Sequence, residues 1–432
     1  MTIIAHIHHL LLNYCTLCEH NEARSQVQRQ RYLDRVTRIL TSSRLVQRTE
    51  EQIWNLGWDK PFFAYNAAGT AGPAVERARA AGVFACLDAV ASPQFMIGEV
   101  PGPLVEDAVA RGHLAGACAV PFRLARVHAY ARAVPRIAHQ VNRFYDDWQA
   151  AVLGADELQE RAVAIAEDIG VGGGPIGKVD GFGFTTACHL LADLGLPVFK
   201  PDIWVCRIVS ALPGVRTEIR RAWRLAEDAP VSFDFLESKL VGGCAPDAYR
   251  RIVQPVMNAL VRDAQVHGVA AAEFDLVPAF LRPRFVDWTL VHFAISAETE
   301  VYGLERRPVD MLRSAGELSV PGYLKALALW LDAGQASHEA VVALKNAEAR
   351  VRRAKSPEQR ERAQRRLALL RLPAAQTRRD ELAAQAQAAW MAHEAASTAA
   401  GQTVAPLYPE GFARREPAGA WAYKRAALAR RE

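Results

Sequence analysis

The chain has 432 residues, half of them hydrophobic, and a formal net charge of +5 at neutral pH. That length accommodates two or three domains with a sizeable core, and so mild a charge does not by itself announce a nucleic-acid binder. Seven cysteines, an odd number, argue against a disulfide framework, and no apolar run is long enough to span a bilayer.

Abundant Ala, Arg and Leu with few β-branched runs favour helices. Residues 1–12 carry His6, His8 and His9 but no Lys or Arg, so they lack the basic region of a signal peptide, and the expectation is a soluble, cytoplasmic protein. Cys15, Cys18 and His20 have the chemistry of zinc ligands, but no second pair follows at finger spacing, and a local helical segment is the favoured reading. Residues 22–58 read as one or two helices, with Val27, Tyr32, Leu33, Val36, Ile39 and Leu40 at helical spacing. Gly and Pro breaks between 61 and 103 leave room for short helices such as 74–81. A longer helix is expected over 124–149, interrupted near Pro135, and another over 155–169.

Beyond the centre of the chain, 246–267 predicts a helix kinked at Pro255, and 284–299 another, with Phe285, Trp288, His292 and Ile295 recurring. Asp287 and His292 lie five apart and need not share a face, so a structural histidine is expected there. The composition changes after Gly334. Residues 338–371 and 378–397 read as an antiparallel helical pair, with Ser356-Pro357-Glu358-Gln359 as a helix start. The expected divisions are an N-terminal helical segment (1–60), a core (61–310), the C-terminal pair (335–398) and a basic tail (399–432) holding Arg414, Arg415, Lys424 and Arg425. The stretches Arg350, Arg352, Arg353, Lys355 and Arg360, Arg362, Arg365, Arg366 read equally as a solvated helix face or as an added phosphate footprint.

The segment richest in chemistry runs from Lys178 to Ile208. Gly181-Phe182-Gly183 is a tight turn followed at once by a helix whose Leu190, Leu191 and Leu194 share a face, ended by Gly195 as a C-cap. A turn feeding a helix N-terminus presents backbone N–H groups that suit a phosphate, although many such turns are purely structural. Asp202 precedes an apolar segment that contains Arg207. Its plain role is an N-cap, and at the mouth of a cleft the same carboxylate can hold negative charge against a developing cation.

Taken together, Gly-hydrophobic-Gly-x-x-Thr-Ala, a leucine-rich helix ending in Leu-Gly, and then hydrophobic-x-x-Asp-x-x-hydrophobic-x-Arg resemble the signature of the helix-hairpin-helix (HhH-GPD) DNA glycosylase superfamily. Endonuclease III, the adenine glycosylase and 8-oxoguanine glycosylase belong to it. The resemblance is specific over 176–209 and diffuse over 83–302, where only helix order matches. It implies an all-α, two-lobed fold with a cleft between the lobes, here with the C-terminal helical hairpin appended. It implies a phosphate gripped by the hairpin through Val179, Gly181, Phe182, Gly183, Thr185 and Thr186, with Arg207 also at the DNA and a monovalent cation on the hairpin carbonyls. Asp202 matches the catalytic aspartate, which stabilises an oxocarbenium-like sugar once the base is flipped out of the duplex.

Two departures refine the expectation. Members with lyase activity carry a Lys at the second residue after the Gly-x-Gly turn, where this chain has Thr185, and Lys178 and Lys200 do not match that position. Only Cys206 and Cys244 follow the aspartate, so the four-cysteine iron–sulfur loop of endonuclease III is not expected. Ser92-Pro93-Gln94 falls where the family places a side chain that fills the gap left by the base, which makes Gln94 a candidate wedge as well as an ordinary loop residue. The expected activity is monofunctional removal of a damaged or modified base from double-stranded DNA, with modified phage DNA as one candidate substrate. The rival readings are a non-catalytic DNA-binding protein and a scaffold.

Overall fold

The computed structural model describes residues 43–63, 68–212, 215–226, 233–243, 245–266, 282–295 and 322–399, with a few single positions before residue 43. These residues are predominantly helical, as expected of an all-α chain. Among them the only strands are β1 (Met96–Ile97) and β2 (Val100–Pro101), paired antiparallel as Met96 with Pro101 and Ile97 with Val100. No helix among the described residues is long and apolar enough to cross a membrane. The cysteine–histidine group at 15–20, most of the stretch 22–42, Cys244 and the basic tail lie outside the described residues. So does the His292 side chain.

The chain divides into two compact units. The first comprises Val36–Lys200 and Ala272–Phe285, and the second Met1–Arg35, Pro201–Ala271 and Val286–Glu432. This division is not the serial one that composition predicts, because the second unit is assembled from separated stretches of chain.

In the first unit the helices are α1 (Glu50–Gly57), α2 (Lys60–Phe63), α3 (Ala68–Ala80), α4 (Leu87–Ala91), α5 (Pro103–Ala110), α6 (Pro121–Gln149), α7 (Ala155–Gly170) and α8 (Phe184–Asp193). Of the one or two helices expected across 22–58, the described part is broken at 44–49, and Thr49 starts α1 with a capping box. The Thr49 hydroxyl accepts from the Gln52 N–H at 3.2 Å, and the Gln52 side chain accepts from the Thr49 N–H at 3.0 Å. Helix α6 passes through Pro135 without interruption. Proline removes one rung of the ladder, but the buried face Leu124, Val127, Ala131, Val134, Ala138 and Val141 continues on both sides and packing carries the helix across.

An aromatic column fills this unit. Phe182 stacks on Tyr130, Tyr130 on Trp54, and Trp58 on Phe84. The Trp54 indole N–H donates to the Phe84 carbonyl at 2.8 Å, so the polar handle of a buried ring is met. Gly57 is required by close approach, because a Cβ there would lie 2.2 Å from the Tyr130 hydroxyl oxygen. At the end of α8, Asp193 accepts from Lys60 at 2.6 Å, pairs with Arg284 at 3.1 Å and lies 3.3 Å from the His189 ring nitrogen. Desolvation opposes the charged carboxylate, but Lys60, then His189 and Arg284, outweigh it and hold the group well below the usual carboxylate range. His189 is pulled the other way: burial, with Lys60 next, lowers it well below an ordinary histidine.

The second unit contains α9 (Ile203–Ala211), α10 (Val215–Trp223), α11 (Phe233–Leu236), a π-helical stretch Glu237–Gly243, α12 (Ala245–Ala248), a second π-helical stretch Tyr249–Val253 and α13 (Gln254–Val266). Helix α14 (Arg282–Ile295) contributes its part from Val286 onward, and α15 (Gly322–Arg353), α16 (Pro357–Leu370) and α17 (Pro373–Ala399) follow. The kink expected at Pro255 is replaced by the π-helical stretch, which leaves Pro255 in the first turn of α13, where its missing N–H is not needed. The C-terminal part is three helices rather than a pair. Gly334 is no boundary but lies within α15, where a Cβ would come 2.5 Å from the Phe233 ring. Ser356 caps α16 as its sequence predicts, accepting from the Gln359 N–H at 3.2 Å.

Candidate functional site

The hairpin begins where α7 ends. A run of glycines leaves backbone N–H groups without helical partners, and such donors need acceptors. Asp168, 6% exposed, supplies them: its carboxylate accepts from Gly174 at 2.7 Å, Ile176 at 2.7 Å and Gly177 at 3.1 Å. Gly172 and Gly173 hold φ of +98° and +109°, a region other residues rarely adopt. Sequence reasoning missed Asp168, and its signal was there: a carboxylate just before a glycine cluster.

The turn itself is tied back to α7 by the Val179 N–H on the Ile169 carbonyl at 3.0 Å and closed by the Phe182 N–H on the Val179 carbonyl at 3.1 Å. Val179 and Phe182 point into the core at 2% and 0% exposure, so these two expected DNA contacts can present only backbone. Gly181 carries a φ of +86°, and a Cβ there would lie 2.6 Å from that of Arg126. Gly183 differs. Its φ of −86° suits any residue, it is exposed, and a Cβ placed on it meets no atom within 4 Å. As N-cap of α8 it offers no side-chain acceptor to the first turn, which begins with Phe184, Thr185 and Thr186. Helices α7 and α8 cross closely at this point, since a Cβ on Gly170 would sit 2.6 Å from the Phe184 backbone. At the far end Gly195 holds a φ of +90° and the Leu196 N–H reaches the Leu191 carbonyl at 2.9 Å, the C-terminal stop that the sequence predicts.

Lys178, which does not match the lyase position, is part of the turn. Its ammonium donates to the Gly170 carbonyl at 2.6 Å and to the Phe182 carbonyl. Partial burial lowers its pKa, Asp180 opposes and Arg126 adds to the lowering. The lysine ammonium thus takes the Phe182 carbonyl, one of the hairpin carbonyls on which the resemblance places a monovalent cation.

Asp202 belongs to the second unit and starts α9. Its Oδ1 accepts from the Trp204 N–H at 3.0 Å and the Val205 N–H at 2.9 Å, which fixes the half-buried carboxylate at the helix N-terminus. Behind it the fully buried Cys206 thiol is pushed well above its ordinary value by desolvation, then by Asp202 and Asp287, so it stays protonated and is no nucleophile. Arg207, expected at the DNA, is enclosed. It is 2% exposed, donates to Gln335 at 2.6 Å, and lies over the rings of Trp204 at 4.6 Å and Phe233 at 4.1 Å. A long side chain so enclosed joins α9 to α11 and α15 rather than reaching for solvent.

Gln94 is exposed, in the link between α4 and β1, and its carbonyl accepts from the Leu104 N–H at 3.1 Å. Thr185 and Thr186 are half-buried on the first turn of α8. The hairpin and Asp202 thus sit in different units, and each is built by its own neighbours. Comparison of the chain with protein-family models, with curated proteins and with solved structures found no match in any of the three.

Proposed function

We propose that the protein is a monofunctional DNA N-glycosylase of the helix-hairpin-helix type, which removes a damaged or modified base and leaves an abasic site. The observation that carries the reading is the exposed Gly183 backbone at the N-terminus of α8, held by Asp168, Lys178 and the buried Phe182 with open space beside it. A phosphate accepted there meets oriented N–H groups and the positive end of a helix dipole, with Lys178 and Arg126 nearby. The division into two compact units is in keeping with a two-lobed fold of this class.

In this reading Asp202, rigid through its two N–H bonds, stabilises positive charge developing on the sugar and orients the attacking water. Thr185 cannot form a Schiff base, so the strand stays intact after base loss. The test is incubation of the full chain with duplexes carrying a panel of modified bases, with released bases identified by mass spectrometry. The expected result is release of at least one base, strand breakage only on alkali treatment, and no adduct trapped by borohydride. Duplex binding without release from any member of the panel would favour the non-catalytic reading, for which the N-cap role of Asp202 is the supporting observation.

A further inference from the structure

The turn between α15 and α16 gathers arginines from both helices onto one cleft. Arg350 and Arg353 come from the last turn of α15, and Arg362 and Arg366 stand one turn apart on α16. With Ala354, Gln359 and Ala363 they line a depression of about 540 Å³ that no carboxylate enters. Neighbouring arginines are neutralised: Arg365 by Glu361 at 2.5 Å and Arg371 by Glu348 at 2.7 Å. Among the described residues no carboxylate pairs with the four that line the cleft. Convergent like charges are unfavourable unless a ligand supplies the opposite sign. Helix α16 buries none of its residues, so its packing does not explain the arrangement either.

We propose that this cleft binds the phosphodiester backbone of duplex nucleic acid, with the guanidinium groups of the two helices clasping phosphates between them. Guanidinium groups match phosphate oxygens in bidentate fashion, and the two alanines keep the floor open. The lining has no aromatic ring on which an unpaired base could stack, which favours a duplex over a single strand. Contacts of this kind position a protein without reading sequence. The site uses neither the hairpin nor Asp202, so it stands whether or not the chain excises bases.

The test measures binding of the full chain to a short unmodified duplex of mixed sequence by fluorescence anisotropy across a salt series. Substituting Arg362→Ala with Arg366→Ala should weaken binding on the order of tenfold at low salt and make the slope of log affinity against log salt shallower by about two units. The pair Arg362→Lys with Arg366→Lys keeps the charge and should restore most of the slope. An unchanged slope in the alanine pair would overturn the proposal. So would equal loss in the lysine pair, or displacement of the duplex by polyglutamate at equal charge concentration, which would mark the cleft as a site for an acidic protein.

Discussion

The ring of Phe182, at the centre of the hairpin, lies 4.8 Å from that of Tyr130 with the planes 26° apart, so the turn is anchored to the longest helix of its unit. The Tyr130 hydroxyl in turn donates to the Ile53 carbonyl at 2.7 Å. Phe182→Ala should therefore destabilise the protein by about 3–5 kcal/mol, the cost of a large cavity in a core. Tyr130→Phe keeps the stacking and removes one buried hydrogen bond to a carbonyl that is also in the α1 ladder, for about 0.5–1.5 kcal/mol. Urea unfolding of the two variants checks both; a smaller loss for Phe182→Ala than for Tyr130→Phe would mean that the column does not hold the turn.

Asp193 gives the fold a pH dependence. Its folded pKa lies below its unfolded one, so its contribution is complete above the unfolded value, about 4, and is lost as pH falls through the folded value. Asp193→Asn should cost about 3–5 kcal/mol at neutral pH, because Lys60 and Arg284 lose their partner. The difference between wild type and variant should shrink progressively below about pH 4. A constant difference down to strong acid would show that the ion cluster is not its source.

The hairpin was legible because its chemistry is local. Gly181 and Gly195 set a turn and a helix stop through their own positive φ, Gly183 and Ser356 cap the helices they precede, and all stand where the spacing places them. Arg207 was not legible. Whether an arginine reaches phosphate or is enclosed depends on Phe233 and on Gln335, 128 positions away, and no pattern around Arg207 encodes either. Gly334 misled for the same reason, since it answers a ring from another element rather than a domain boundary. Pro135 and Pro255 showed the opposite limit: a strong local rule gave way to packing in α6 and was absorbed by a π-helical stretch before α13.

Lys178 holds the Phe182 carbonyl, one of the hairpin carbonyls on which the resemblance places a monovalent cation. Exchanging sodium for potassium at constant ionic strength should leave duplex affinity of the wild type unchanged. Lys178→Met should weaken binding on the order of tenfold, the loss of one charge-assisted contact that shapes the turn. Anisotropy titrations in the two salts decide it; a wild-type preference for one cation would reject the lysine as its substitute.

Asp202→Asn should abolish base release, by at least about 10²–10³ in rate, while leaving duplex affinity within a few-fold. Asparagine caps a helix as well as aspartate does, so the bonds to Trp204 and Val205 survive and loss of the cap does not confound the result. Single-turnover assays and thermal melts, run side by side, separate charge from fold. Normal turnover by the Asn variant would remove Asp202 from the chemistry.

Gly183→Val tests whether the hairpin touches DNA at all. Sequence reasoning expects a side chain here both to block the ligand and to strain the backbone, but only the first holds, because Gly183 has a φ of −86° and a Cβ on it meets nothing within 4 Å. The variant should fold with a stability close to that of the wild type. Gly181→Val is the contrasting control: its φ of +86° and the Arg126 stem at 2.6 Å should make it unstable. If α8 receives a phosphate at its N-terminus, valine at 183 occupies the approach, and affinity should fall by a similar factor for modified and unmodified duplexes. One lost phosphate contact should also make the slope of log affinity against log salt shallower by about one unit. Wild-type affinity and slope in a well-folded Gly183→Val protein would reduce the turn to a link between α7 and α8. The glycosylase reading would then have Asp202 as its sole support, and a capping aspartate is too common to carry it.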